Sequence, residues 1–200
     1  MVWFVLGGAV LLVVLFFVMG FRYIPNNRVA VVERRFSASG SVKSGLIALN
    51  GEAGYLPRLL RGGIHWLMPF QYSVHRMPLV TIPQGRIGYV FARDGVSLGP
   101  DQALASNVKA KSFEDVEAFL RLGGQRGPQR MILREGVYAI NLAQFVVVTE
   151  NAVYHMALNR TDEVLFREMA RVIQERQGFA PVVIKGTDDN VGIVTVHDGP

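Results

Sequence analysis

From Val2 to Phe21 the chain carries no charged residue, so all 21 Lys and Arg and all 16 Asp and Glu lie beyond that stretch. At the helical rise of about 1.5 Å per residue such a run reaches roughly 30 Å, the thickness of a bilayer's hydrocarbon core. It predicts a helix that crosses a membrane once. The residues it would place in lipid are Val2, Trp3, Phe4, Val5, Leu6, Val10, Leu11, Leu12, Val13, Val14, Leu15, Phe16, Phe17, Val18 and Phe21. A cleaved leader is the competing explanation. It fits less well, because no Lys or Arg precedes the run, the run is too long, and Met19-Gly20-Phe21-Arg22 is not a small-x-small cleavage site. Trp3 and Tyr23 stand at the two ends, where aromatic rings favour the headgroup region.

Orientation follows from charge. Arg22, Arg28, Arg34, Arg35 and Lys43 crowd the C-terminal flank and the other flank has none, which predicts the N-terminus outside and the domain in the cytoplasm. The division expected is an anchor over residues 1–23 and one domain over 24–200. The net charge of +5 does not point to nucleic acid, because the basic residues are dispersed; attraction to anionic lipid accounts for it more simply. With no cysteine there is no disulfide, thiolate metal site, cysteine nucleophile or palmitoylation site.

Beyond the anchor, Ile24-Pro25-Asn26-Asn27-Arg28 reads as a turn feeding a buried strand, Val29 to Val32. Ile82-Pro83-Gln84-Gly85-Arg86 followed by Ile87 to Phe91 repeats the pattern, with a weaker echo from Asn190 to Gly199. Asp94-Gly95 reads as a hairpin turn. The third copy reaches the same dipeptide, Asp198-Gly199, as the sequence stops, which suggests the N-terminal part of a longer protein. Ser112-Phe113-Glu114-Asp115 resembles a capping box, with Phe113, Val116, Phe119 and Leu120 on one face and Gly123 as terminator. Pro128 is expected to open a short helix reaching Gly136, and Tyr138 to Val148 to form a strand. A helix is predicted from Thr161, its cap, to Gln177, with Leu165, Met169, Val172 and Ile173 as its apolar stripe and Gly178 ending it. Strands and helices mix without strict alternation, so the expected class is α+β.

A search for chemistry finds little. His65, His75, His155 and His197 have no metal-binding spacing. Gly123-Gly124-Gln125-Arg126-Gly127 lacks the lysine of a phosphate loop and reads as a connection between two helices. Ser37, Ser39, Ser41 and Ser44 read as loop, and Asp188-Asp189 as a solvated turn. No catalytic residue, cofactor-binding residue or metal ligand is assigned, no cofactor is expected, and the chain is not expected to be an enzyme.

The aromatic and aliphatic stretch Tyr55 to Phe70, punctuated by Pro57 and Pro69, is too short to span a bilayer. Two readings stand: a shallow hairpin in the near leaflet, with Trp66, Leu67, Met68 and Phe70 against the membrane surface, or a turn buried in the core. Within it, Arg61-Gly62-Gly63-Ile64-His65-Trp66-Leu67-Met68-Pro69-Phe70 resembles the R-P-G-x-H-x-x-x-P signature of the SPFH superfamily (stomatin, prohibitin, flotillin, HflK/C), also called Band 7. Arg61, Gly62, His65 and Pro69 carry the match, with Gly62-Gly63 where the signature has proline-glycine. Leu49 to Tyr55, Val80 to Gly95 and Gly124 to Arg130 resemble bacterial flotillin-like proteins of the YqiK type. That resemblance implies an SPFH domain with an antiparallel-rich sheet and a few helices, lying on the bilayer, and homo-oligomers that order a lipid patch through a long coiled coil this sequence lacks. The partners implied are the lipid bilayer, further copies of the chain and other membrane proteins; the second function considered is a regulatory subunit of a membrane protease or transporter.

Overall fold

The computed structural model describes residues 2–182. They fall into two compact units, Met1–Pro78 and Leu79–Pro200. Three helices and antiparallel strand pairs make the architecture α+β among the described residues.

In the first unit, helix α1 runs Val2–Met19, 18 residues, two fewer than the charge-free run suggested. Gly20 turns the chain and Phe21, expected to end the helix, instead begins strand β1 (Phe21–Ile24). The cause is non-local: β1 is captured antiparallel by β4 (Gly63–Trp66), which takes its backbone groups away from the helical ladder. Among the described residues no helix is long and apolar enough to cross a membrane. Strand β2 (Arg28–Arg34) follows a turn closed by Arg28 N–H donating to Pro25 O, 3.0 Å. It sits between β3 (Gly54–Tyr55) and β5 (Tyr72–Pro78), so Val29, Ala30, Val31 and Val32 are all buried, the pattern of a strand covered on both faces. The serine-rich segment after β2 is a loop tied down at intervals, with Ser37 Oγ donating to Gly51 O at 2.6 Å.

The second unit opens on the same device: β6 (Val80–Ile82), a turn closed by Arg86 N–H to Pro83 O (3.2 Å) with Gly85 at φ 70°, then β7 (Tyr89–Ala92). The third copy, from Asn190 to Gly199, lies outside the described residues, as do Asp188-Asp189 and His197. Asp94-Gly95 does not make a hairpin. After it Val96 bridges Gln125, while β7 pairs with β8 (Gly127–Pro128) and β10 (Phe145–Val148), and β10 with β11 (Val153–Tyr154). Pro128 therefore opens no helix; it sits on an edge strand, where its missing N–H costs no ladder bond. The expected strand from Tyr138 to Val148 is split into β9 (Gly136–Tyr138), which pairs with β6, and β10, with the buried bend Ala139 to Gln144 between them.

Helix α2 (Val116–Arg121) is capped by Asp115, whose side chain accepts from Ala118 N, and not by Ser112. Ser112 and Phe113 have φ 54° and 67°, left-handed values incompatible with a cap. Of the expected apolar face, Phe113, Val116 and Phe119 are buried and Leu120 is half-buried, and Phe119 meets Phe145 with ring centroids 5.0 Å apart. The following glycine-rich stretch links α2 to β8, not to another helix. Helix α3 spans Arg160–Glu175, its cap position being Asn159 and not Thr161. Its buried anchor is Phe166, packed with Met169, Ala170 and Ile173 against Val146 and Val148, while Leu165 is exposed. Of the expected stripe, Met169 and Ile173 pack on the core and Val172 is half-buried; Leu165 does not pack there, and Phe166 takes its place. Gln177, at φ 54°, takes the left-handed position, and Gly178 N–H returns to Ile173 O (2.9 Å), completing the helix stop.

Candidate functional site

The end of α1 is locked to β4. Antiparallel pairing places Trp66 opposite Phe21, His65 opposite Arg22 and Ile64 opposite Tyr23. The Trp66 indole N–H donates to Phe17 O at 3.1 Å, its ring lies 5.7 Å from that of Phe17, and Leu67 N–H donates to Gly20 O at 2.9 Å. Arg22 donates to Met19 O at 2.7 Å. Carbonyls that a helix end leaves unpaired are thereby satisfied, and a cation stands at the negative end of the helix dipole. Gly20 has to be glycine here, because a Cβ would lie 2.7 Å from Trp66 Cε2.

Around this junction large apolar side chains stay exposed: Phe21, Tyr23, Ile64, Trp66, Met68 and Phe70, the last 63% exposed and held at φ 66°. Every described side chain of α1, from Trp3 to Met19, is exposed as well. The stretch Tyr55 to Phe70 takes neither expected shape. It is not a hairpin, since β3 pairs with β2 and β4 with β1; nor is it a buried turn, since only Pro69 near its end is enclosed. Leu67 is half-buried.

The four residues of the family-like motif sort by role. Gly62 abuts Asn26, where a Cβ would come within 2.9 Å of Asn26 Cα, so it lets β4 approach the turn between β1 and β2. His65 Nε2 lies 2.7 Å from Arg61 O, bracing the bend before β4; Arg61 is exposed and Pro69 is buried.

Arginines converge beside the same junction. Arg22, Arg35 and Arg76 line a pocket of about 470 Å³ together with Met19, Phe70 and Tyr72. The first two carry the orientation argument in the sequence; Arg76 had no signal there, because nothing local says that β5 folds back past β1.

Elsewhere, His75 pairs with Glu33 at 3.0 Å, both partly exposed. Among the described residues no group of three or more His, Cys, Asp or Glu could hold a metal ion. In the second unit, burial pushes the Tyr89 phenol above its ordinary range while its hydroxyl donates to Gly178 O at 2.6 Å. On the surface of α3 the hydrogen bond from Arg171 holds the Glu168 carboxyl below its usual range.

Comparison of the chain with protein-family models, with curated proteins and with solved structures found no match.

Proposed function

We propose that this chain is a membrane-anchored scaffold of the flotillin-like kind, non-enzymatic, held on a bacterial inner membrane through α1 and assembling with copies of itself to organise a patch of lipid. The observation that carries the reading is α1: eighteen residues without a charge, apolar on all sides and exposed throughout its described length. A helix apolar all round needs a covering, and hydrocarbon supplies it. Its length of about 27 Å is a few ångströms under a typical hydrocarbon core, a mismatch that local thinning accommodates at modest cost. Tyr23 and Trp66 at its foot suit the headgroup level, where amphipathic rings concentrate. The SPFH-like motif from Arg61 to Phe70 supports placing the rest of the chain on that surface.

Membranes holding the full chain, washed with alkaline carbonate and then extracted in mild detergent for mass determination and imaging, test the proposal. Retention through the wash, and large closed particles of one polypeptide after extraction, are expected. Release by carbonate overturns the anchor. Small particles carrying a second protein in fixed ratio favour the regulatory-subunit reading over the scaffold.

A further inference from the structure

We propose that Arg22, Arg35 and Arg76 form a receptor for the phosphate of an anionic phospholipid headgroup, seated at the foot of α1; the inference rests on α1 lying in the bilayer. The three arginines come from separate places in the chain, β1, the residue after β2, and β5, and all line one pocket of about 470 Å³, within the size range of small-molecule sites. Among the described residues no carboxylate lines it.

The hydrogen bonds holding the three arginines go to uncharged oxygens: Arg22 to the carbonyls of Met19 and Phe21, Arg35 to Ser73 Oγ (3.0 Å), Arg76 to Tyr23 O (3.1 Å). Each guanidinium has five N–H donors in a planar fork, so these contacts leave donors over, and the fork matches the oxygens of a phosphate. Three like charges around one cavity repel, and an anion among them turns that repulsion into attraction. The α1 C-terminus opposes an anion with about half a negative charge, against three full positive charges, and Arg22 already covers one of its carbonyls.

Position selects a lipid as the source of the phosphate. Met19, the last residue of α1, and Phe70, largely exposed, belong to the pocket wall. A lipid whose acyl chains run alongside α1 brings its phosphate to the level where the helix ends, which is the level of Arg22. A soluble phosphate has no use for those apolar walls.

Native mass spectrometry of the full chain in neutral detergent reads the site directly. Dioleoyl phosphatidylglycerol and dioleoyl phosphatidylcholine are offered at equal concentration to the wild type, to the Arg22→Gln/Arg35→Gln/Arg76→Gln variant, and to Arg28→Gln, which removes an exposed charge away from the pocket. Expected are a bound phosphatidylglycerol on the wild type and on Arg28→Gln, at least tenfold less on the triple variant, and little phosphatidylcholine on any. Arg35→Gln alone, which gives up the side-chain contact to Ser73 Oγ, is expected to lose severalfold and keeps the test open if the triple variant misfolds. Equal retention of the two lipids, or of phosphatidylglycerol by wild type and Arg35→Gln, overturns the proposal. Displacement of the lipid by millimolar inorganic phosphate overturns the lipid as source. The anchor is read separately by the carbonate wash: a chain that survives the wash yet shows no headgroup preference loses the receptor and keeps the anchor.

Discussion

Trp66 and Phe17, 49 positions apart, are joined twice: the indole N–H donates to the Phe17 carbonyl at 3.1 Å and the two rings lie 5.7 Å apart. This clamp ties the last turn of α1 to the β1–β4 ribbon across Gly20, where a glycine leaves the backbone its greatest freedom.

Filling Gly20 breaks the clamp. In a Trp3→Phe background, so that Trp66 is the sole indole reporter, Gly20→Val is expected to shift Trp66 fluorescence to the red and raise its quenching by iodide several-fold, since the new side chain occupies the indole's place. Unchanged emission would mean that the ring sits elsewhere in solution. Trp66→Phe removes the indole N–H together with the part of the ring packed beside Gly20, and loss of the hydrogen bond by itself is expected to contribute about 0.5–1.5 kcal/mol of the cost.

If α1 lies in the bilayer as proposed, its orientation is expected to follow the basic flank. Arg34 is unsuitable as a probe, because it also donates to Gly51 O and stacks over Tyr72. Neutralising Arg22, Arg28 and Arg35 together is expected to give a mixed population, read by labelling single introduced cysteines from either side of the membrane; the natural sequence has none to interfere. A single unaltered orientation refutes the charge argument.

Helix α3 is anchored by Phe166, 5% exposed, and not by Leu165, 57% exposed. Phe166→Ala is expected to cost about 3–5 kcal/mol by opening a cavity against Val146 and Val148, visible as loss of hydrogen-exchange protection across α3. Leu165→Ala should stay within about 0.5 kcal/mol. Comparable losses from both would restore the original stripe.

Alkaline pH tests the contact between β7 and the end of α3. The folded Tyr89 phenol titrates above the unfolded value, so above about pH 10 the unfolded state releases its proton first and stability falls as pH rises. The neutral phenol donates to Gly178 O, a bond the phenolate cannot make. The expected outcome is a loss of denaturation midpoint above that pH which Tyr89→Phe abolishes, at a cost near neutrality of about 0.5–1.5 kcal/mol. A variant with the same alkaline slope as the wild type assigns the slope to another group.

What is written locally was legible. The charge gap forecast a helix at the N-terminus, four consecutive apolar residues from Val29 to Val32 forecast a buried central strand, and Pro25 and Gly85 marked their turns, because hydrophobic runs and turn residues act over a few positions. Boundaries and caps went astray where distant partners compete for the backbone. Phe21 left the helix because β4 pairs with it, Pro128 joined a sheet edge because β7 runs past it, and Asp115 displaced Ser112 because the chain turns left-handed at Ser112 and Phe113. The candidate site divides the same way. The sequence by itself determined an apolar helix with arginines after it and a motif around His65; tertiary structure alone decided that Trp66 closes on Phe17 and that Arg76 joins Arg22 and Arg35, because strand pairing between residues far apart in the chain sets which side chains share a pocket.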